Sequence, residues 1–246
     1  MDFANCYQDG ARADAYATLD FKNTYHLAYR DLPEILRQHV RGNKAVDFGC
    51  GAGRSTRFLR QLGFEVIGVD ISDDMLRKAC ELDPGADYRL VPGDDLSSLQ
   101  QGAFDVVLAM FTFDNIAGRE TKIRIFRDLA DLLKPEGKIV HVVSRPEIYT
   151  HEWASFSTKD FPENRNAQCG DTVRIIVLDH ADRRPVEDIL WTPESYSEVF
   201  QASGLKTIAK YEPLVRGDES YAWISEREIA PWAVYVLAQT GSPDAR

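Results

Sequence analysis

The stretch "AVDFGCGAGRSTRFL", Ala45 to Leu59, sets three glycines at alternate positions directly behind a short apolar run. The run predicts a buried strand, the glycines a turn, and the residues from about Arg54 a helix. Such a unit can cradle a ligand. Glycine lets the backbone come close and take positive φ, while a helix N-terminus directs unpaired N–H groups and partial positive charge at the turn. Dinucleotide-binding turns run G-x-G-x-x-G, and position 54 is arginine where that pattern needs its third glycine. A Walker-type loop would end in G-K-S/T, which is absent. Asp47, just ahead of the glycines, would repel a phosphate and favours a ligand with a positive pole.

Working outward from this stretch, strand-like and helix-like runs alternate. "KAVDFG" precedes "GRSTRFLRQLG", "EVIGVDI" precedes "SDDMLRKACEL", and "FDVVLAMF" precedes "ETKIRIFRDLADLLKPEG", which yields to "KIVHVVS". Alternation of this kind predicts right-handed βαβ units on a parallel sheet. A helix over Thr121 to Leu133 would present Ile125, Leu129 and Leu132 on one face, with Pro135 to Gly137 stopping it. His141 falls inside the fifth strand and reads as a core residue. The expected fold is therefore α/β, a Rossmann-like seven-stranded sheet, mostly parallel with an antiparallel C-terminal strand, helices on both faces and an inserted β-hairpin and lid. One domain spans 1–246: a helical cap (1–43), a ligand-binding core (44–144), the lid and hairpin (145–191), and a last helix with two strands (192–240).

Composition narrows the partners. The 246 residues carry a formal net charge of -10, which repels a phosphate backbone, so nucleic acid is a poor partner and a small molecule the better one. The beginning of the chain shows no basic leader or apolar segment, and nowhere do eighteen apolar residues run together, so we expect a cytoplasmic protein, monomeric or homodimeric, with no membrane contact. Cys6, Cys50, Cys80 and Cys169 form no CxxC pair, which predicts free thiols and no metal. Arg183 and Arg184 are flanked by acids and read as a polar turn.

The variable parts lie outside the alternating core. Tyr7, Tyr16, Tyr25 and Tyr29 stud the cap, as packing residues or as walls of a ligand site. "RPEIYTHEWASFSTKDFPENRNAQCGD" is aperiodic and longer than an ordinary connection, the profile of a lid. "TVRIIVLD" and "PVEDILW" alternate apolar and polar residues about "HADRR", a hairpin pattern. Then "TPESYSEVFQASGL" supplies Thr192 as N-cap, Pro193 at the first helical position and Gly204 as C-cap.

Two further acids sharpen the ligand. Asp70 ends "EVIGVD", about twenty residues past the turn, where a carboxylate can accept both hydroxyls of a ribose. Asp94 and Asp95 in "PGDDL" follow the third strand, where they can meet an adenine amino group. Together they outline an adenosine without phosphates. In these motifs and their order, "VDFGCGAGR", "VIGVDIS", "PGDDL", "FDVVLAMFTFDNI" and "LADLLKPEGKIVHVV", the chain resembles the class I S-adenosylmethionine-dependent methyltransferases that act on small molecules. The resemblance runs through most of residues 12–144 and resumes at "WTPESYSEVFQASGL".

The resemblance implies S-adenosyl-L-methionine as cofactor and S-adenosyl-L-homocysteine as product. It implies that Asp47 and the backbone of Gly49, Cys50 and Gly51 hold the methionine end with Tyr16 nearby, and that Asp70 binds the ribose. Ile71 and Met75 would pack by the adenine, whose edge Asp94, Asp95 and Leu96 would hold. Met110 and Phe111 would lie where cofactor meets acceptor, and Asn115 near the acceptor. Transfer is an in-line attack on the sulfonium methyl, so proximity and exclusion of water do most of the work and a base is optional. For a nitrogen or oxygen acceptor, a flat N-heterocycle first among them, Tyr7, Tyr25, Asn115, His151, Trp153 and Trp191 are the candidate contacts, with His151 and Tyr7 as candidate proton acceptors. Two alternatives remain in view, a catalytically idle adenosine-binding protein and an NAD(P)-dependent oxidoreductase.

Overall fold

The computed structural model describes residues 10–92 and 95–241, with the backbone alone for 10–13. Among the described residues ten strands and seven α-helices follow in chain order: α1 (Gly10–Ala17), α2 (Thr24–Arg30), α3 (Leu32–His39), β1 (Lys44–Phe48), α4 (Arg54–Gln61), β2 (Glu65–Asp70), α5 (Asp73–Leu82), β3 (Asp87–Leu90), β4 (Phe104–Met110), α6 (Arg119–Leu132), β5 (Leu133–Ser144), β6 (Phe156–Ser157), β7 (Thr172–Val177), β8 (Val186–Ile189), α7 (Pro193–Ala202), β9 (Leu205–Tyr211) and β10 (Trp232–Gln239). Seven of the strands form one sheet, ordered β3-β2-β1-β4-β5-β10-β9, in which β10 alone runs antiparallel to its neighbours. The Rossmann-like architecture expected from the alternation is the one observed.

The two-residue period of the strands decides which layer each side chain joins. Ala45, Val106, Leu108, Met110, Val140, Val142 and Val234 point to a core roofed by α2, α3 and the small sheet. Val46, Phe48, Val107, Ala109, Ile139, Val143 and Tyr235 point to the opposite core, under α6 and α7. Every residue of β4 is buried, as a central parallel strand covered on both faces requires. In α6 the face of Ile125, Leu129 and Leu132 is buried as its spacing predicts, and the helix starts two residues earlier, at Arg119. The Pro135–Gly137 stretch does not interrupt pairing: Leu133 pairs with Phe104, the register shifts, and Lys138 resumes opposite Val106. His141 sits in the second core against Phe113, Phe126 and Tyr196, and burial holds its imidazole neutral, well below the usual range.

The hairpin forms from β7 and β8, with Thr172 opposite Ile189 and Ile175 opposite Val186. A third strand, β6, adds to β7 and makes it a three-stranded sheet; at two residues, it carries no readable alternation. The chain on either side of β6 is held by buried polar groups. Asn164 donates to the carbonyls of Tyr149 and Arg174 at 2.9 and 2.7 Å, and Trp153, fully buried, donates its indole N–H to Ile148 at 2.9 Å. Thr192 caps α7 by accepting from the Ser195 N–H at 3.2 Å, and Gly204 follows at φ 73°.

One buried carboxylate fastens the cap to these additions. Glu226, with no exposed surface, accepts from the Thr24 hydroxyl at 2.6 Å and the Ala154 N–H at 2.8 Å through Oε1, and from the Ile224 N–H at 2.8 Å through Oε2. The Trp232 indole N–H donates to the Thr24 carbonyl at 2.9 Å. Cap, lid and C-terminal strand therefore meet at one hydrogen-bonded junction above the sheet.

Candidate active site

The strand order reverses between β1 and β4, and in open α/β sheets the crevice beyond the strand ends at that point is the ligand site. A cavity of about 240 Å³ lies there. Its floor is the glycine turn after β1 and residues 111–116 after β4, and its roof comes from α2 and the small sheet.

The glycines of the turn differ in what they do. A side chain at Gly49 would run into Thr112, and one at Gly53 would run into the Tyr88 hydroxyl, so both are required by close packing within the protein. At Gly51, with φ 53°, a Cβ would meet no protein atom within 4 Å, because that face opens on the cavity. The turn's N–H groups are largely spoken for: those of Gly49 and Cys50 go to the Val69 carbonyl at 2.9 and 3.0 Å, and that of Gly53 to Cys50 at 2.9 Å. The expectation of free donors aimed at the ligand is corrected accordingly; the cradle offers shape and a bare approach. Cys50 is buried there, and burial keeps its thiol protonated.

Asp47 lies beneath the turn and is not among the residues lining the cavity. Its Oδ2 accepts from the Ser55 and Thr56 hydroxyls at 2.7 and 2.6 Å, anchoring the start of α4 from behind, while Oδ1 has no partner. Desolvation pushes its carboxyl up to about 6, against the two hydroxyls, which act to lower it. A carboxyl raised in the folded state loses stability as it ionises, so that cost is complete above pH 6 and fades as pH falls towards the unfolded value. Asp47→Asn should therefore gain on the wild type by about 1 to 2 kcal/mol between pH 5 and pH 7.5. Urea unfolding at the two pH values measures this, and an equal gap at both would contradict it.

Asp70 lines the cavity at the end of β2. Its Oδ2 accepts from the Gly51 N–H and its Oδ1 from the Ser72 N–H, both at 2.8 Å, and burial raises its carboxyl. Each oxygen keeps a second lone pair, so the carboxylate is fixed in place and still able to accept a pair of hydroxyls. Ile71, 40% exposed, forms an apolar rim beside it, with buried Met75 and Val91 behind. At the other side Met110 and Phe111 also line the cavity. Phe111 holds φ 62°, a conformation that disfavours side chains, and Thr112 ties the loop to β1 by donating to the Phe48 carbonyl at 2.8 Å.

Of the remaining sequence candidates, Tyr16, Tyr25 and Asn115 line the cavity. Five do not. Trp153 is packed inside the lid, and His151 beside it directs Nδ1 at the Glu147 carbonyl, 3.0 Å away. Trp191 lies in the opposite core, with the Lys122 ammonium 4.8 Å above its ring. Asp95 is exposed and accepts from the Ser97 N–H at 2.9 Å, and Leu96 belongs to the second core. Tyr7 and Asp94 lie outside the described residues. The lining instead includes residues not singled out from sequence: Arg54, stacked over Tyr25 and Tyr29 with its guanidinium 4.5 and 5.4 Å from the rings, and Asp114, Ser144, Tyr149, Asp188 and Trp232. No cluster able to hold a metal ion occurs among the described residues.

Residues 46–141 match the family described as "Methyltransferase domain". This segment is similar to a methyltransferase domain. It holds β2 to β4 and most of β1 and β5, with the glycine turn, Asp70 and Phe111, the elements from which the floor of the cavity is built. A ubiquinone biosynthesis O-methyltransferase of Xanthomonas euvesicatoria pv. vesicatoria is 32% identical over 107 residues, which is 42% of this chain and 44% of that protein. The match thus spans less than half the relative's length. Over nearly the whole chain the fold is shared with solved structures. An S-adenosylmethionine-dependent methyltransferase from Clostridium acetobutylicum superimposes with a TM-score of 0.62 at 14% identity, covering 96% of this chain and 99% of that one. The DesVI protein of Streptomyces venezuelae gives 0.61 at 18%, covering 92% and 98%. S-adenosylmethionine is the cofactor named for the Clostridium acetobutylicum structure, and the open face of Gly51, the Asp70 carboxylate and the bare rim at Ile71 have the shape and hydrogen-bonding groups to meet its methionine, ribose and adenine parts.

Proposed function

We propose that this protein transfers the methyl group of S-adenosylmethionine to a nitrogen or oxygen of a small molecule. The observation that carries this reading is the continuity of one cavity from the Gly51 and Asp70 cradle to an aromatic chamber formed by Tyr25, Phe111, Phe156 and Trp232. When bound, the cofactor supplies an electrophilic methyl on sulfur. The chain's residues position the two partners and exclude water, which is the catalysis such a displacement needs. Arg54 would pair with the carboxylate of the methionine end. Phe111 and Met110 would separate the cofactor from the acceptor chamber, whose aromatic walls suit a flat nitrogen heterocycle as the first acceptor to test. Incubation with methyl-labelled S-adenosylmethionine and a panel of heterocycles, amines and phenols, read by mass spectrometry, tests this. Labelled product from any acceptor supports it, whereas cofactor binding without transfer to any of them favours an idle adenosine-binding protein.

Asp70→Ala is expected to weaken S-adenosylhomocysteine binding by roughly 1.5 to 3 kcal/mol, about 10- to 150-fold, through loss of the ribose contacts and of the Gly51 anchor. Calorimetry measures it. Unchanged affinity would place the ribose elsewhere.

A further inference from the structure

At the acceptor end of the cavity one hydroxyl leads to a buried charged pair. Ser144, at the end of β5, lines the cavity and donates its hydroxyl to Oδ2 of Asp114 at 2.7 Å. The same oxygen accepts from the Ser144 N–H at 3.2 Å, which fixes the two residues against each other. The Tyr149 hydroxyl, beside that of Ser144, donates to Asp188 at 3.1 Å. Both hydroxyl protons are thus directed at carboxylates, and what the Ser144 oxygen presents to the chamber is its lone pairs.

Behind Asp114 lies a lysine that does not line the cavity. Lys122, on α6 and without exposed surface, donates to the Phe113 carbonyl at 2.5 Å, and its ammonium stands 4.8 to 5.6 Å from the rings of Trp191, Tyr196 and Phe113. An ammonium in such a core is costly unless an opposite charge answers it, and the Asp114 carboxylate does so. The benefit runs both ways. Burial pushes the Asp114 carboxyl up to about 6, against Ser144 and the Lys122 ammonium, which act to lower it. Burial lowers Lys122 to about 7, with Asp114 acting to raise it. Facing the pair from the elements around it are Tyr149 in the lid, Tyr196 on α7, His141 on β5 and Cys169 ahead of β7. Burial keeps both tyrosines protonated and His141 neutral, so among the described residues Lys122 is the cation that holds Asp114 ionised.

Building on the methyl-transfer reading, we infer that the acceptor reacts through a hydroxyl on a flat ring, hydrogen-bonded to the Ser144 oxygen, and that Ser144 relays its proton to Asp114, with Lys122 as the positioning residue behind. The chemistry of the nucleophile decides between oxygen and nitrogen. A neutral amine attacks with a lone pair it already has. A neutral hydroxyl is a weak nucleophile until its proton leaves, so a relay able to take that proton serves oxygen. In the step the acceptor O–H bond breaks, and its proton passes to the Ser144 oxygen as the Ser144 proton passes to Asp114. The freed pair forms the O–CH3 bond while the C–S bond breaks, and the sulfur keeps the electrons of that bond. The methyl ether so formed has no proton for Ser144, which favours its release. The rings of Tyr25, Phe111, Phe156 and Trp232 wall the space for the flat body.

Calorimetry on the protein saturated with S-adenosylhomocysteine tests this with phenol and anisole, which share a ring and differ by the proton in question. We expect phenol to bind about tenfold more tightly at neutral pH. Ser144→Ala should reduce that preference below about threefold while S-adenosylhomocysteine affinity stays within about threefold. In the wild type the preference should fall away below about pH 6, as Asp114 takes a proton and Ser144 turns donor. In Lys122→Met that fall should move up by about one pH unit or more, because the neighbouring cation is gone. A lysine that merely fills the core would leave it in place. Should Lys122→Met not fold, Asp114→Asn decides, since it should leave the remaining preference independent of pH. Equal binding of phenol and anisole, a preference that survives Ser144→Ala, a fall unmoved in Lys122→Met or a pH dependence that persists in Asp114→Asn would overturn the assignment. Failure of the wild type to bind S-adenosylhomocysteine would instead overturn the methyl-transfer reading beneath it.

Discussion

Gly51→Val is expected to weaken S-adenosylhomocysteine binding more than a hundredfold and leave a folded protein. The reason is local. Among the three glycines of the turn, Gly51 alone presents an open face, so a branched side chain there would fill ligand space without striking the protein. The φ of 53° adds strain of about 1 to 2 kcal/mol for a residue with a Cβ, which a domain with two full apolar layers absorbs. Gly49 and Gly53 serve as the contrast. A valine at either would strike Thr112 or Tyr88 and should lower stability as well as binding. Calorimetry paired with thermal unfolding separates the cases, and retained binding in the Gly51 variant would show that the ligand does not approach this backbone.

Glu226→Ala should produce the largest stability loss of a single side chain outside the two cores. Its carboxylate receives three hydrogen bonds, from the Thr24 hydroxyl and the N–H groups of Ala154 and Ile224. Truncation leaves the buried Thr24 hydroxyl and two part-buried N–H groups without their acceptor, at about 1 to 3 kcal/mol each before water enters, for a net loss near 3 to 5 kcal/mol. For a chain of this length that lowers Tm by roughly 10 °C. Because the junction joins the cap to the lid that roofs the cavity, probe binding at the acceptor end should weaken as well. Glu226→Gln, which retains one acceptor oxygen, should recover part of the stability. A change in Tm below about 3 °C for the alanine variant would mean that the junction does not hold these segments together.

The sheet was legible because burial writes itself into sequence at a fixed period: β1, β2, β4 and β5 are apolar runs separated by helical spacing. The cradle was legible for a related reason, since a glycine turn and a strand-end acid occur at set distances along one βαβ unit. The acceptor end was harder to read. It is assembled from four separate segments, with Asp114 after β4, Ser144 ending β5, Tyr149 in the lid and Asp188 on β8. Nothing local marks Ser144 or Tyr149 as neighbours of either acid. Asp188 did carry a signal, because alternation with Val186 and Leu190 sets it on the inward face of its strand, where an acid is conspicuous. The tryptophans misled for a physical reason. Trp153 and Trp191 are large enough to close a lid or a core, and burying an indole satisfies the same apolar surface whether or not a ligand is present.

The most direct test of the account is calorimetric titration of the wild-type protein with S-adenosylhomocysteine and, separately, with NADH. We predict binding of S-adenosylhomocysteine in a one-to-one ratio, lost in Gly51→Val, and no binding of NADH. Binding of NADH with none of S-adenosylhomocysteine would contradict it.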